Sequence, residues 1–419
     1  MPPTTLSPAM QAIRALESGV WGLADKLATA AVRVNPADAA AWNVRGRIAL
    51  AACRPELAAR WFRRARAADP RFKPAEKNLR LAETTPPSPP PPSPAYLLIL
   101  PWGHGFFSDV DMVLGGLLAS EITGRTPVVH WGPGSLFRDH DTPDAWTRFF
   151  HPVSSATFDD VLTAARGGVY HPRYSAETLP RGPMNRVQGP GSLIAALHHF
   201  PRREAVCVHD FHTGVEYLLD WIPESHSLHG ASVEGASADL ARRYLRPTGG
   251  ITAAVDDFAN THLGSGGGMV LAVHARGGDK EAEDPAIRTA HAAYLGRIDA
   301  FLAQSDRARV FLITDSTRLL AEFAHRYGPR LITTAVSRTD DARGVHLRPA
   351  PSREALGRDV LLDALLAARC DAFLGYGMSN VSCAVRALKR WPAGTCTLIG
   401  PVMTETRNMD GPIPQYYPS

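Results

Sequence analysis

A run of seven prolines in nine positions, Pro86 to Pro94 (PPSPPPPSP), divides this 419-residue chain more firmly than any other feature. Proline has no backbone N–H and fixes φ near about −65°, so neither a helix nor a sheet ladder crosses such a run. The chain must therefore fold as something before it and something after it. As polyproline II, rising about 3.1 Å per residue, the run would hold its flanks roughly 28 Å apart when fully extended. A tether without set geometry is the other reading.

Residues 1–83 are rich in Ala, Leu and Arg and repeat at a spacing of 34 residues. With Trp42 in first position, Gly46, Ala58, Phe62, Ala65 and Pro70 fall at tetratricopeptide offsets, and Ala24, Ala31 and Pro36 precede the matching positions by one period. Small residues let paired helices approach, the aromatic fills the gap, and the proline ends the second helix. This segment resembles two tetratricopeptide repeats, capped by a third helix at about Pro74 to Glu83; a generic Ala-rich hairpin is the alternative. Two repeats are few for a free solenoid, so the module leans on the body of the protein or on a second copy.

After a linker at 84–95 the pattern becomes that of a parallel sheet covered by helices. AYLLILPW, TPVVHW and AVCVHDF read as strands, with helices at MVLGGLLASEIT and ADLARRYL. From Met269 the rhythm is strand MVLAVHA, helix 290–304, strand RVFLIT, helix STRLLAEFAHRYG, strand RLITTA, helix REALGRDVLLDALLAARC, strand DAFLGY and helix SNVSCAVRALKR. The fold class is α/β: two Rossmann-like domains, 96–250 and 251–419, preceded by a small all-α module, with a cleft between the two domains.

With 45% hydrophobic residues the chain can build a core in each part. Its net charge of +4 is small, only five of the 45 basic residues are lysines (Lys26, Lys73, Lys77, Lys280, Lys389), and no basic block points to nucleic acid. Cys53, Cys207, Cys370, Cys383 and Cys396 show neither disulfide nor zinc spacing, which fits a reducing compartment. The opening MPPTTLSPAM has no signal-peptide pattern, and no apolar run approaches a membrane span, so a soluble cytoplasmic protein is expected.

The strongest local signal is His274-Ala-Arg276-Gly-Gly-Asp279-Lys280 at the end of strand MVLAVHA. Ligands of open α/β sheets bind beyond the carboxyl ends of strands, and an arginine there followed by glycines suits a diphosphate. The guanidinium fork matches two phosphate oxygens and stays cationic at any working pH. A surface salt bridge with Asp279 is the competing account. Asp315, ending RVFLIT, can accept from a ribose or base amine, or can simply cap the next helix. Asp359 and Asp363 share one helix face, and Ser379 and Asn380 open a helix whose amides can hold a phosphate; capping by Ser379 is compatible with that.

In the first half the loop Trp102-Gly103-His104-Gly105-Phe106-Phe107-Ser108-Asp109 follows the opening strand and is expected to line the same cleft. It lacks G-x-G-x-x-G and P-loop spacing. Asp109-Val-Asp111 imitates the D-x-D of metal-dependent sugar transferases, but it sits at a helix start. His209-x-x-His212 and His198-His199 lack a third ligand, so ordinary buried or surface histidines are expected and no metal site.

Four pieces recur in order: V-H-x-R-x-x-D-K at Val273 to Lys280, F-L-x-T-D at Phe311 to Asp315, L-x-D-x-x-L-x-A-R-C at Leu361 to Cys370, and the serine-bearing turn at Ser379. Through them residues 96–419 resemble the fucosyltransferase superfamily that includes α-1,6-fucosyltransferases, the rhizobial nodulation enzyme and protein O-fucosyltransferases. The resemblance implies a GT-B architecture, GDP-fucose as donor substrate, no cofactor or metal, and inversion at the anomeric carbon. It implies that Arg276 neutralises the departing β-phosphate while Asp279 and Lys280 order its loop. It also implies that Asp315 and Asp363 contact the nucleoside and Ser379 the diphosphate, with His274 and Asn380 beside them. The acid proposed as general base falls at Asp284, with Glu283 next to it. One departure is Gly277, where a second arginine is common.

The first half, with its acceptor loop at Gly103, His104, Gly105 and Asp109, is much less alike. The function expected is an inverting, metal-independent glycosyltransferase moving a sugar from GDP-fucose to a protein or glycan acceptor, with the helical repeats as a candidate holder of that acceptor and no nucleic-acid partner. The alternatives are another nucleotide-sugar, or a tetratricopeptide adaptor whose transferase half is inactive.

Overall fold

A computed structural model of the chain describes residues 6–87, 89–184, 192–264, 267–277, 284, 286–340 and 349–406. Asp279, Lys280 and Glu283 lie outside the described residues.

Five helices come first: α1 (Pro8–Glu17), α2 (Trp21–Val34), α3 (Ala39–Ala51), α4 (Pro55–Ala68) and α5 (Lys73–Thr84). Each packs on the next, and α1 and α5 also reach α3. Proline stands in the first turn of α1, α4 and α5, where its missing N–H has no helical partner to lose. A Cβ on Gly46 would lie 2.3 Å from Cε1 of Phe62, so α3 and α4 approach because the glycine leaves room for the ring.

The expectation of modules held apart by the proline run is corrected. The described residues of the run lie outside helix and sheet and are mostly exposed, but the helices before it lie directly against the body after it. Arg54 donates to the Ile122 carbonyl at 2.6 Å, Trp61 meets Trp221 edge to face at 5.0 Å, and Trp21 stacks on His198 at 4.7 Å. Burial of these aromatic and alanine faces outweighs any preference of the linker for extension.

Beyond the linker, β1 (Tyr96–Ile99), β2 (Thr126–Val129), β3 (Val169–Tyr170) and β4 (Val206–His209) form a parallel sheet in the order β2-β1-β4-β3. A second parallel sheet takes the order β7-β6-β5-β8-β9 from β5 (Val270–His274), β6 (Arg309–Ile313), β7 (Leu331–Ile332), β8 (Ala372–Tyr376) and β9 (Cys396–Ile399). The chain winds outward from β5 through β6 to β7, then returns to place β8 on the other side of β5. That reversal makes the carboxyl ends of β5 and β8 a topological switch point.

Alternation along the strands explains the layers. Val270 and Ala272 of β5 face a core shared with the helical stack, while Leu271 and Val273 face a separate core under the helices Ala286–Leu302 and Thr317–Tyr327. Leu97 and Ile99 of β1 join the shared core, and Leu98 and Leu100 join one on the far face. Each such fully buried Leu or Val contributes roughly 1.5–3 kcal/mol, so both sheets are fixed from both sides.

The halves also interlock. The helix Asn380–Leu388 packs against helices Phe106–Thr123 and Val233–Tyr244. Asp139, from the first half, accepts from the Ser352 hydroxyl (2.6 Å) and the Arg353 amide (2.5 Å) at the start of helix Arg353–Ala367.

Candidate functional site

The carboxyl ends of the two sheets face a cleft of about 330 Å³, within the range of about 300–1,000 Å³ that small-molecule sites occupy. Its first wall is the segment after β1, with Trp102, His104, Gly105, Phe106, Phe107 and Ser108. Its second wall is the switch point and its neighbours: His274 and Arg276 after β5, Thr314 and Asp315 after β6, and Ser379 and Asn380 after β8, with Asp359 and Asp363 from helix Arg353–Ala367.

Arg276 keeps 21% of its side chain exposed and is paired with Asp315 at 2.5 Å. The other oxygen of Asp315 accepts from the Gly277 amide at 2.8 Å, so one carboxylate fixes both the guanidinium and the turn that carries it. A Cβ on Gly277 would lie 2.6 Å from the Cβ of Ser316, at the start of the helix Thr317–Tyr327. The glycine is therefore a packing requirement in this chain, and a second arginine has no room there. The reading of Asp315 as a helix cap is corrected: Ser316 caps that helix by accepting from the Leu319 amide at 3.1 Å, and Asp340 accepts from the Ser316 hydroxyl at 2.6 Å.

Ser379 precedes the helix Asn380–Leu388, but its hydroxyl makes no capping hydrogen bond. That helix therefore presents its amino-terminal end, with Ser379 and Asn380, to the cleft. The amino terminus of a helix carries partial positive charge and suits an anion.

His274 is buried; its Nδ1 lies 2.8 Å from the Ser382 hydroxyl, and its backbone carbonyl accepts from the Tyr294 hydroxyl at 3.2 Å. Burial first, then the neighbouring Arg276, pulls its pKa down to about 3, so it is neutral at physiological pH. Burial pushes Asp363 up to about 7, opposed by the Thr334 hydroxyl donating to it at 2.6 Å. Burial likewise raises Asp359.

Arg338 was not singled out by sequence reasoning, although it follows the carboxyl edge of β7 as Arg276 follows that of β5. Its guanidinium donates to the carbonyls of Thr314 (3.1 Å), Val336 (3.1 Å) and Thr334 (2.9 Å) and to the Thr333 hydroxyl (2.6 Å), which fixes the wall that carries Ser337. The loop after β1 stands where the sequence placed it, with Trp102 and Phe106 in the lining of the cleft.

Three expected residues, Gly103, Asp109 and Asp284, are not among those that line the cleft. Asp109 is fully buried beneath the first-wall loop, accepting from the amides of Gly103 (3.2 Å) and His104 (3.1 Å), with its pKa pushed up to about 7 by burial. It shapes the loop and does not line the cleft, and Gly103 turns beneath it at φ +81°. Asp284 accepts from the Ala286 amide at 3.1 Å and from the Tyr376 hydroxyl; it starts the helix Ala286–Leu302 and is not among the cleft-lining residues. Asp111 pairs with His212 at 3.0 Å, so the D-x-D resemblance is spent on internal contacts. Among the described residues no group of three or more His, Cys, Asp or Glu is placed to hold a metal ion.

The fold and its cleft define a parallel α/β protein with a pocket at the carboxyl ends of two sheets. No family model matches the chain, and no curated protein matches it by sequence. Solved structures are similar in outline. The NodZ α-1,6-fucosyltransferase co-crystallised with GDP is 18% identical, with a TM-score of 0.48 over 71% of this chain and 93% of its own. NodZ from Bradyrhizobium is 17% identical, with a TM-score of 0.46 over 71% and 94%. POFUT1 in complex with GDP-fucose is 13% identical, with a TM-score of 0.46 over 74% and 98%. These figures assign no role to any residue of this chain. Among the described residues no helix is long and apolar enough to cross a membrane.

Proposed function

We propose that this chain is a glycosyltransferase that moves a sugar from a nucleoside diphosphate donor to a protein or glycan acceptor, with inversion and without a metal. GDP-fucose is the donor implied by the motifs from Val273 to Ser379. The observation that carries the reading is the convergence, at the switch point of the second sheet, of Arg276 with Asp315 behind it and the helix start at Ser379 and Asn380.

When the bond from the anomeric carbon to the phosphate oxygen breaks, its electron pair goes to the β-phosphate. A fixed cation and a helix amino terminus stabilise that growing charge without reorganising. Arg276 serves that charge as a cation and as a hydrogen-bond donor, and takes no part in proton transfer. Asp359, Asp363 and Ser337 form the wall that takes the nucleoside, where carboxylates accept from base amines or ribose hydroxyls. Asp279 and Lys280 belong to the same loop in this reading.

In the same reading residues 1–83 are a tetratricopeptide-like module, 96–250 an acceptor domain and 251–419 a donor domain. The packing of α3 on α4 at Gly46 and Phe62, and the placing of the anion-suited residues after β5 and β8, support that division.

Calorimetry with GDP and UDP tests the donor assignment. Wild type should bind GDP more tightly than UDP, and Arg276→Ala should bind GDP roughly 10–100-fold more weakly, the value of a charged hydrogen-bond partner. Equal binding by both proteins removes Arg276 from the site.

A further inference from the structure

We propose that His104 is the proton acceptor for the attacking group of the acceptor, a role that rests on the transferase reading above. In an inverting displacement the nucleophile approaches the anomeric carbon from the side opposite the leaving phosphate. Arg276 and the helix start at Ser379 place that phosphate on the second wall, so the nucleophile and its base belong to the first wall, the loop after β1.

Among the described residues, six titratable side chains line the cleft: His104, His274, Arg276, Asp315, Asp359 and Asp363. Five belong to the second wall. His274 is buried against Ser382, Asp315 is engaged by Arg276 and the Gly277 amide, and Asp363 accepts from Thr334. Asp359 stands one turn before Asp363 on the same helix, beside the nucleoside wall. Asp284 accepts from the Ala286 amide at the start of its own helix and from the Tyr376 hydroxyl, and is not among the cleft-lining residues. His104 alone of the six stands on the first wall.

Its position is also fixed. The buried carboxylate of Asp109 holds the His104 amide, and the imidazole lies against the indole of Trp102 with ring centres 4.8 Å apart and planes tilted by 33°. Behind Trp102 stands His212, 6.0 Å from it and paired with Asp111. A ring set on a pinned loop and an aromatic plate is pre-organised for one direction of approach.

The step balances. The acceptor's hydroxyl oxygen forms its bond to the anomeric carbon as the carbon–phosphate oxygen bond breaks. The electron pair of that bond leaves with the nucleoside diphosphate, and the hydroxyl proton passes to an imidazole nitrogen of His104. Water can occupy the place of the hydroxyl, giving slow hydrolysis of the donor.

The test uses the full chain, GDP-fucose and water as the acceptor, with GDP release as the readout and GDP calorimetry beside it. His104→Ala should bind GDP within twofold of wild type, yet release GDP roughly 10²–10⁴-fold more slowly, the usual worth of a positioned base. Added imidazole should restore part of that release in His104→Ala and none in Arg276→Ala, a rescue that a merely structural histidine would not give. Release at the wild-type rate by His104→Ala overturns the proposal. So does a loss that imidazole leaves untouched in a protein that still binds GDP. A wild type that binds GDP but releases none overturns it as well, because a competent base at that face would activate water. A wild type that fails to bind GDP at all overturns the transferase reading itself.

Discussion

Arg45 and Arg276 both sit against aspartates, and they end in opposite situations. Arg45 is 3% exposed, bonded to Asp25 at 3.0 Å and Asp220 at 2.8 Å, with its guanidinium 4.2 Å from the centre of the Trp61 ring. It ties the helical stack to the segment after β4 and leaves no room for a ligand. Arg276 has an aspartate behind it too, but its side chain lines a cleft and keeps a fifth of its surface open. An arginine enclosed by carboxylates and aromatic rings stabilises a fold. An arginine at a strand end whose side chain lines a cleft can answer to a ligand.

The largest effect that tests this contrast is on stability. Arg45→Leu strands Asp25 in a core that already raises its pKa by burial, and should cost about 3–5 kcal/mol in denaturant unfolding. Adding Asp25→Leu should recover much of that loss. A single variant with an unchanged midpoint would break the comparison from the structural side.

Next is Arg276→Ala, expected to weaken GDP binding while leaving the melting temperature within about 2 °C, since the residue is only partly buried. A collapse of stability there would make it a second Arg45. Gly277→Ala sharpens the comparison further. Its new methyl would meet Ser316 at 2.6 Å, costing roughly 1–3 kcal/mol and displacing the turn that carries Arg276, so stability and GDP affinity should fall together.

The smallest effect is on pH dependence. Burial holds His209 and His274 down at about 3, against an ordinary value of 6.5. Between those values the unfolded chain binds protons that the folded one refuses, so stability present above pH 6.5 is lost as pH falls. By pH 5 the loss should be about 2 kcal/mol for each histidine. Asp109 and Asp363, raised to about 7, act in the opposite sense: they favour the folded state at low pH, and that contribution fades as pH rises from 3.8 toward 7. His209→Gln should flatten the acid limb of the melting-temperature profile, and an unchanged limb would place the titration elsewhere.

Features that repeat locally were legible in the sequence. The spacing of Trp42, Ala58 and Phe62 located α3 and α4, the apolar runs located β1, β5, β6 and β8, and the rule about strand ends picked out Arg276 and Ser379. The long reading RLITTA shrinks to the two residues of β7, because the chain leaves the sheet at Thr333 to be gathered in by Arg338. Contacts between distant segments left no local trace. Arg45 meets Asp220 across 175 positions, and Asp139 reaches Ser352 across 213, so neither pair could be read from periodicity. Asp109 looked like a loop residue facing a ligand because spacing cannot tell a carboxylate that binds its own backbone from one that binds a substrate.

A crystal soaked with saturating GDP tests the central claim most directly. The account predicts density in the cleft between the sheets, with β-phosphate oxygens within hydrogen-bond distance of the Arg276 guanidinium and beside the helix start at Ser379 and Asn380. A diphosphate bound elsewhere, or an empty cleft with Arg276 still closed on Asp315, would contradict it.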